Sequence, residues 1–209
     1  LEDDAEVRDY LGQAYAYRAM FYLDLARIYE PKKNGYTEIS SDIEGLTVPI
    51  VTENTTEEMA KKNPRATREQ MYQFIFSDLQ KAEEYLADAA ESYTTPGLTA
   101  VYGLYARAYL ELGATYAEYP NEVPDPAVYD MDSAKAYAEA AKYARMAINR
   151  GMHTPLTQSQ WEDPSNGFNN GGSNNAWIWG LTVSSENLSK SFSFAIFSTS
   201  LKMTNSFSS

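Results

Sequence analysis

Two stretches of this 209-residue chain mix aromatic side chains with amides and carboxylates, the combination that suits a neutral ring rich in hydroxyl groups. A pyranose presents C–H patches to a flat aromatic face and hydroxyls to the polar groups around it. The first stretch holds Asn34, Tyr36, Glu38 and Asp42; the second holds Trp161, Asp163, Asn166, Phe168 and Asn169, followed by Asn170. Each also has a plainer reading, a solvated connection whose aromatic folds back onto neighbouring helices. The tendency of loops to carry function is what raises them to candidate ligand sites.

Other chemistries lack their residues. With no cysteine there are no disulfides, thiolates or zinc–cysteine sites. The one histidine, His153, follows a helix end and reads as a capping or surface residue. No nucleophile elbow, phosphate loop, HExxH or calcium loop occurs, so no catalytic residue, metal ligand or cofactor is assigned. An acidic glycoside hydrolase remains an alternative because such enzymes need only two carboxylates at a set separation and the chain has many, for example Glu162 and Asp163 beside Trp161. Carboxylates adjacent in sequence, however, do not face one substrate.

The charge balance narrows the partners. Seventeen basic and 29 acidic side chains give a net charge of −12, which repels phosphate backbones and anionic headgroups and argues against nucleic acid and electrostatic membrane binding. No apolar run is long enough to span a bilayer, and no signal-peptide core is present. The chain starts at LEDDAEV and stops in a Ser-rich tail, which reads as a fragment whose targeting segment lies outside it. Seventeen tyrosines against eight phenylalanines suit either wet helix packing or carbohydrate stacking.

Helices must position these loops. The first is centred on RAMFYLDLARIY, Arg18 to Tyr29, with a stripe of Val7, Leu11, Ala14, Phe21, Leu25 and Ile28 that Arg18 interrupts. A guanidinium in a core-facing stripe needs a buried partner from another helix, unless it snorkels to water along its stem. The candidate is Asp78, on a second long helix from about Thr67 to Ala90. That helix is announced by the capping-box pattern Thr67-Arg68-Glu69-Gln70 and striped by Met71, Ile75, Leu79, Ala82 and Leu86. A third runs from about Leu98 to Tyr116, with Val101, Leu104, Ala108 and Leu112 on one face and Tyr102, Tyr105 and Tyr109 on another. A fourth spans Ser133 to Arg150, with Gly151 as C-cap and small residues at Ala134, Ala138, Ala141 and Ala144 for close packing.

Between them lie an extended edge segment, Leu46 to Val51, and one helical turn within Thr55 to Lys62. From Thr154 the chain turns Asn/Gly-rich, and Ala176 to Val183 reads as a strand or buried extended segment, with Trp177 and Trp179 on one face. The whole is mainly α, tetratricopeptide-like antiparallel helix pairs with long irregular loops and a short extended C-terminal segment. A clean 34-residue register is lacking.

The ordered set RAMFYLDLARIYE at 18–30, GLTVPIVTE at 45–53, PRATREQMYQFIFSDLQKAEEYL at 64–86, TAVYGLYARAYLELG at 99–113 and the helix ending in AINRG resembles the SusD/RagB family of outer-membrane nutrient-binding lipoproteins. The resemblance implies a surface-exposed, lipid-anchored protein that captures oligosaccharide, or in some relatives peptide, and passes it to a SusC-like TonB-dependent transporter without catalysis. It implies one SusD-like domain over 1–209, incomplete, with a helical scaffold over 1–151 and a loop-rich segment over 152–209. The lipid-bearing cysteine is absent, so anchoring has no residue here to support it. A protein-docking helical scaffold is the alternative from another class.

Overall fold

The computed structural model describes residues 4–32, 36, 38–165, 167 and 175–180. Residues 1–179 form one compact unit; the second, 180–209, lies outside the described residues except for Gly180. Among the described residues the elements are α1 (Ala5–Tyr29), α2 (Glu57–Ala60), α3 (Arg68–Tyr85), α4 (Leu98–Glu118), a 3-10 turn (Pro120–Glu122), α5 (Ser133–Gly151) and α6 (Gln158–Glu162). No strand forms among them, and the mainly helical class expected from the sequence holds.

Helix ends follow their capping residues. Asp4 accepts from the Glu6 N–H at the start of α1, and the helix stops at Glu30, ahead of Pro31. Thr67 and Gln70 form a full capping box on α3. The Gly97 cap of α4 has no side chain to offer. The Glu91 carboxylate takes that role, accepting from the Thr99 N–H at 3.1 Å while also receiving Arg150 Nε at 2.8 Å, which ties the end of α5 to the start of α4.

Contacts along α1 and α3 run in opposite order. Gly12 lies against Leu86, Tyr15 stacks on Tyr85, Arg18 meets Asp78, Tyr22 meets Phe74 and Glu30 meets Arg68, so the pair is antiparallel over its length. In α4 and α5, Gly113 faces Ala136 and Tyr137 while Tyr105 faces Tyr143, again antiparallel. The shared core is Leu23, Met71, Ile75, Leu79, Leu86, Val101, Leu104 and Leu112 with the alanines between them.

Two faces differ from the sequence expectation. In α1 the buried residues are Gly12, Ala16, Ala19, Leu23 and Ala26, whereas Phe21 and Ile28 are exposed, Ile28 to 71 %, and Val7, Leu11 and Leu25 are half-buried. The reason is close approach: the small side chains let the α3 backbone come near, which the bulkier stripe forbids. In α5 the buried alanines are Ala136, Ala140 and Ala147, while Ala134, Ala138 and Ala141 face solvent. The left-handed C-cap there is Met152, at φ 47°, rather than Gly151, which completes the last turn.

The extended stretch after Gly45 is strapped to the start of α3. Leu46 and Thr67 form an antiparallel bridge, the Thr47 N–H donates to the Ala66 carbonyl at 2.8 Å, and Arg65 donates to the carbonyls of Thr47, Leu46 and Tyr29. After α5, His153 Nδ1 lies 2.9 Å from the Asn175 carbonyl, and Asn175 Nδ2 donates to the Met152 carbonyl at 2.5 Å. The chain then bends at Ile178 and Trp179, which breaks the alternation that a strand with both tryptophans on one face requires; Trp179 meets Tyr17 edge-on at 5.2 Å. The rest of that expected segment, 181–183, lies outside the described residues.

Candidate functional site

Arg18 and Asp78 hold the α1–α3 pair at its centre. Nε donates to one carboxylate oxygen at 2.7 Å and Nη2 to the other at 2.8 Å, a bidentate fork. Asp78 is 1 % exposed at its side chain; Arg18, at 24 %, keeps a route to water, where Glu53 accepts from Nη1 at 2.8 Å. The guanidinium is held between the rings of Tyr15 and Phe74, at 5.2 and 5.1 Å. A second charged cluster closes the other end of the pair. Arg68, almost fully buried, donates to Glu30 at 2.5 Å and to Glu122 at 2.9 Å. Burial opposes its charge, but these two carboxylates outweigh it and raise its pKa. Both clusters fix helix register, and the first also opens on a small cavity of about 290 Å³ that Arg18 and Glu53 line with Leu11, Ala14 and Tyr15.

The sequence-nominated residues are placed as follows. Tyr36, Glu38 and Asp42 are exposed on the loop after α1, with the Ser40 hydroxyl donating to Asp42. Trp161 lies on α6, a short helix inside the stretch read from sequence as loop, and is 57 % exposed. That helix carries its own capping box, Thr157 with Gln160, a signal present in the sequence at the same spacing as Thr67 with Gln70. Asp163 follows it, half-buried, and accepts from the Ser165 N–H at 2.8 Å. Asn34, Asn166, Phe168, Asn169 and Asn170 lie outside the described residues. Glu162 accepts from Gln158 at 2.9 Å, so both carboxylates of the hydrolase alternative make local contacts.

None of the described residues among these lines the groove that the helices themselves build. It lies over α3, α4 and α5, holds about 450 Å³, and is lined by Gln73, Phe76, Ser77, Gln80 and Glu83 from α3, Tyr105 and Tyr109 from α4, Tyr129 from the following loop and Tyr143 from α5. Four of its rings are nearly parallel. Phe76 stacks on Tyr109 and Tyr143 on Tyr105, both at 4.2 Å, and the cross pairs Phe76–Tyr105 and Tyr109–Tyr143 lie at 6.1 and 5.8 Å. The α4 tyrosines are thus clasped between one ring from α3 and one from α5. Burial first, then the Tyr143 and Glu83 charges, raise the Tyr105 hydroxyl pKa; burial and then Tyr143 raise that of Tyr109. Burial, with the Glu69 carboxylate, pushes Tyr129 up to about 12. At neutral pH these phenols keep their protons and can both donate and accept. Among the described residues no cluster of three or more metal-ligating side chains occurs, and no helix is long and apolar enough to cross a membrane.

The chain is thus built of antiparallel helix pairs joined by irregular loops and braced by ion pairs. A family model described as SusD-like, starch-binding and associating with the outer membrane, matches residues 1–110, and the chain belongs to that SusD-like (SusD/RagB) family. Among solved structures it is similar to a SusD-like carbohydrate binding protein from Bacteroides vulgatus, with 22 % identity and a TM-score of 0.61 over 88 % of this chain. It is also similar to a SusD superfamily protein from Bacteroides fragilis, with 20 % identity and a TM-score of 0.58 over 87 %. The chain spans about a third, 32 %, of the length of each of those two chains. No curated protein matches it significantly.

Proposed function

We propose that this chain is part of a non-catalytic, cell-surface protein that binds oligosaccharide and delivers it to a SusC-like TonB-dependent transporter at the outer membrane. The observation that carries this reading is the family match over residues 1–110, whose description names starch binding and outer-membrane association. In it the helices of 1–151 act as the scaffold and the segment from 152 onward presents capture residues. The exposed Tyr36, Glu38 and Asp42 on one loop, and Trp161 with Asp163 on and after α6, supply the aromatic and polar contacts, with Asn34, Asn166, Phe168 and Asn169 beside them in sequence.

The test is an array of neutral polysaccharides and peptides, with Trp161→Ala and Tyr36→Ala beside the parent. Retention of one glycan class, recovered uncleaved and lost in either variant, is the expected result. Release of shorter sugars from the bound glycan would make the protein a hydrolase. A second reading, a docking scaffold for a protein segment, draws support from the paired antiparallel helices. Silence on the array together with capture by a SusC-like transporter would favour it.

A further inference from the structure

We propose that the groove over α3, α4 and α5 is itself a saccharide site, distinct from both loops, that takes a neutral pyranose chain between its tyrosines and its glutamines. It goes beyond the loop sites because it requires no residue of either.

Gln73, Ser77 and Gln80 recur at steps of four and three on α3, so one helix face directs two amides and a hydroxyl into the same space. Tyr105, Tyr109, Tyr129 and Tyr143 line the same space from α4, the loop after it and α5. A sugar hydroxyl needs a donor and an acceptor at once, and amides and protonated phenols each supply both. Glu83 adds a carboxylate acceptor at one end.

The set is also rigid before any ligand arrives. Tyr105 and Tyr109 are fixed between Phe76 and Tyr143, so their polar tips lose little freedom on binding. No Lys, Arg or His lines the groove, and its one charge is negative, which disfavours phosphate, sulfate or carboxylate ligands. Its volume of about 450 Å³ falls within the range of small-molecule sites. A hydrophobic segment would cover the glutamine amides without pairing them, a cost that a polyhydroxylated ring avoids.

The test is isothermal titration of the 209-residue chain with maltoheptaose, cellohexaose and xylohexaose, with choline chloride as a cationic control. It is repeated for Gln73→Ala/Gln80→Ala, for Tyr109→Phe and for the loop pair Tyr36→Ala/Trp161→Ala. Gln73 and Gln80 are exposed, and Tyr109→Phe keeps the ring stack, so the groove variants retain the fold, which circular dichroism checks. One saccharide should bind, about tenfold more weakly to the double glutamine variant and about threefold more weakly to Tyr109→Phe, the losses expected for one or two hydrogen bonds. The loop pair should leave that component unchanged. Binding that ignores the groove variants but vanishes in the loop pair overturns the groove site and leaves the loop reading standing. Binding of choline alone overturns it in favour of a cation site. Absence of any saccharide binding refutes both.

Discussion

The Arg18–Asp78 fork makes an asymmetric prediction, because its two ends differ in access to water. Asp78 is sealed and has both oxygens committed to Arg18, so Arg18→Met strands a buried carboxylate. Breaking a buried pair in this way costs about 3–5 kcal/mol. The reverse change is milder. In Asp78→Ala the guanidinium keeps Glu53 and its ring neighbours Tyr15 and Phe74 and can turn toward solvent, so the loss is about 1–3 kcal/mol. Asp88, exposed beyond the end of α3, serves as control, with Asp88→Ala within about 0.5 kcal/mol of the parent. Replacing both partners, Arg18→Met/Asp78→Leu, removes the stranded charge and should cost less than the two single losses together. Urea unfolding followed by circular dichroism measures each value at constant slope, and melting temperatures should fall by about 2–4 °C per kcal/mol for a chain of this size. Equal effects of Asp78→Ala and Asp88→Ala, or strict additivity in the double variant, would refute the reasoning.

Gly12→Ala should destabilise by about 1–3 kcal/mol in the same assay, since a Cβ there would stand 2.5 Å from Leu86 Cγ, and Leu86 is itself buried against the core. Thr67→Ala, which removes the acceptor for the Gln70 N–H, should cost about 1 kcal/mol, with Thr67→Ser restoring most of it. Burial raises the hydroxyl pKa of Tyr72, Tyr105, Tyr109 and Tyr116 and brings Tyr129 to about 12. Below the ordinary value of 10.0 both states are protonated and stability is flat; above it the unfolded chain binds fewer protons, so stability falls as pH rises toward 12 and beyond. Phenolate absorbance should then appear together with loss of helicity, and a free titration of all tyrosines near pH 10 with helicity intact would contradict it.

Much of the scaffold was legible because local chemistry and long-range packing agree there. The Thr67–Gln70 box starts α3, and Met71, Ile75, Leu79, Ala82 and Leu86 form its buried stripe without exception. The α1 face was not, although its helix was. That sequence satisfies a helical period twice, once through Val7, Leu11, Phe21 and Ile28 and once through Gly12, Ala16, Ala19, Leu23 and Ala26, and hydrophobicity alone ranks the bulkier set first. Packing chooses the other because an antiparallel partner gains more from close approach along its whole length than from a few large side chains held at a distance. The Arg18–Asp78 contact is formed even so, since Arg18 sits beside the true buried row and its stem reaches across it. Similarly, the alanines of α5 that face its neighbour are Ala136, Ala140 and Ala147, displaced from the row that spacing alone favoured.

The candidate site divides along the same physical line. A search for aromatics beside amides within one loop finds Tyr36 with Glu38, and Trp161 with Asp163, because such residues are neighbours in sequence. The groove assembles the same mixture from Gln73, Gln80, Tyr105, Tyr109 and Tyr143, which only helix pairing brings together. Its one sequence trace was the second face of α4, where Tyr102, Tyr105 and Tyr109 follow a helical step but are too polar-tipped for an ordinary core. A tyrosine placed only to fill space would do as well as phenylalanine, yet four tyrosines and two glutamines line this one groove. The Tyr105 hydroxyl already has Glu83 as a partner inside the fold, so Tyr109 is the sharper probe: exchanging it for phenylalanine tests function and fold separately, because it deletes the polar tip and leaves the stack on Phe76 in place.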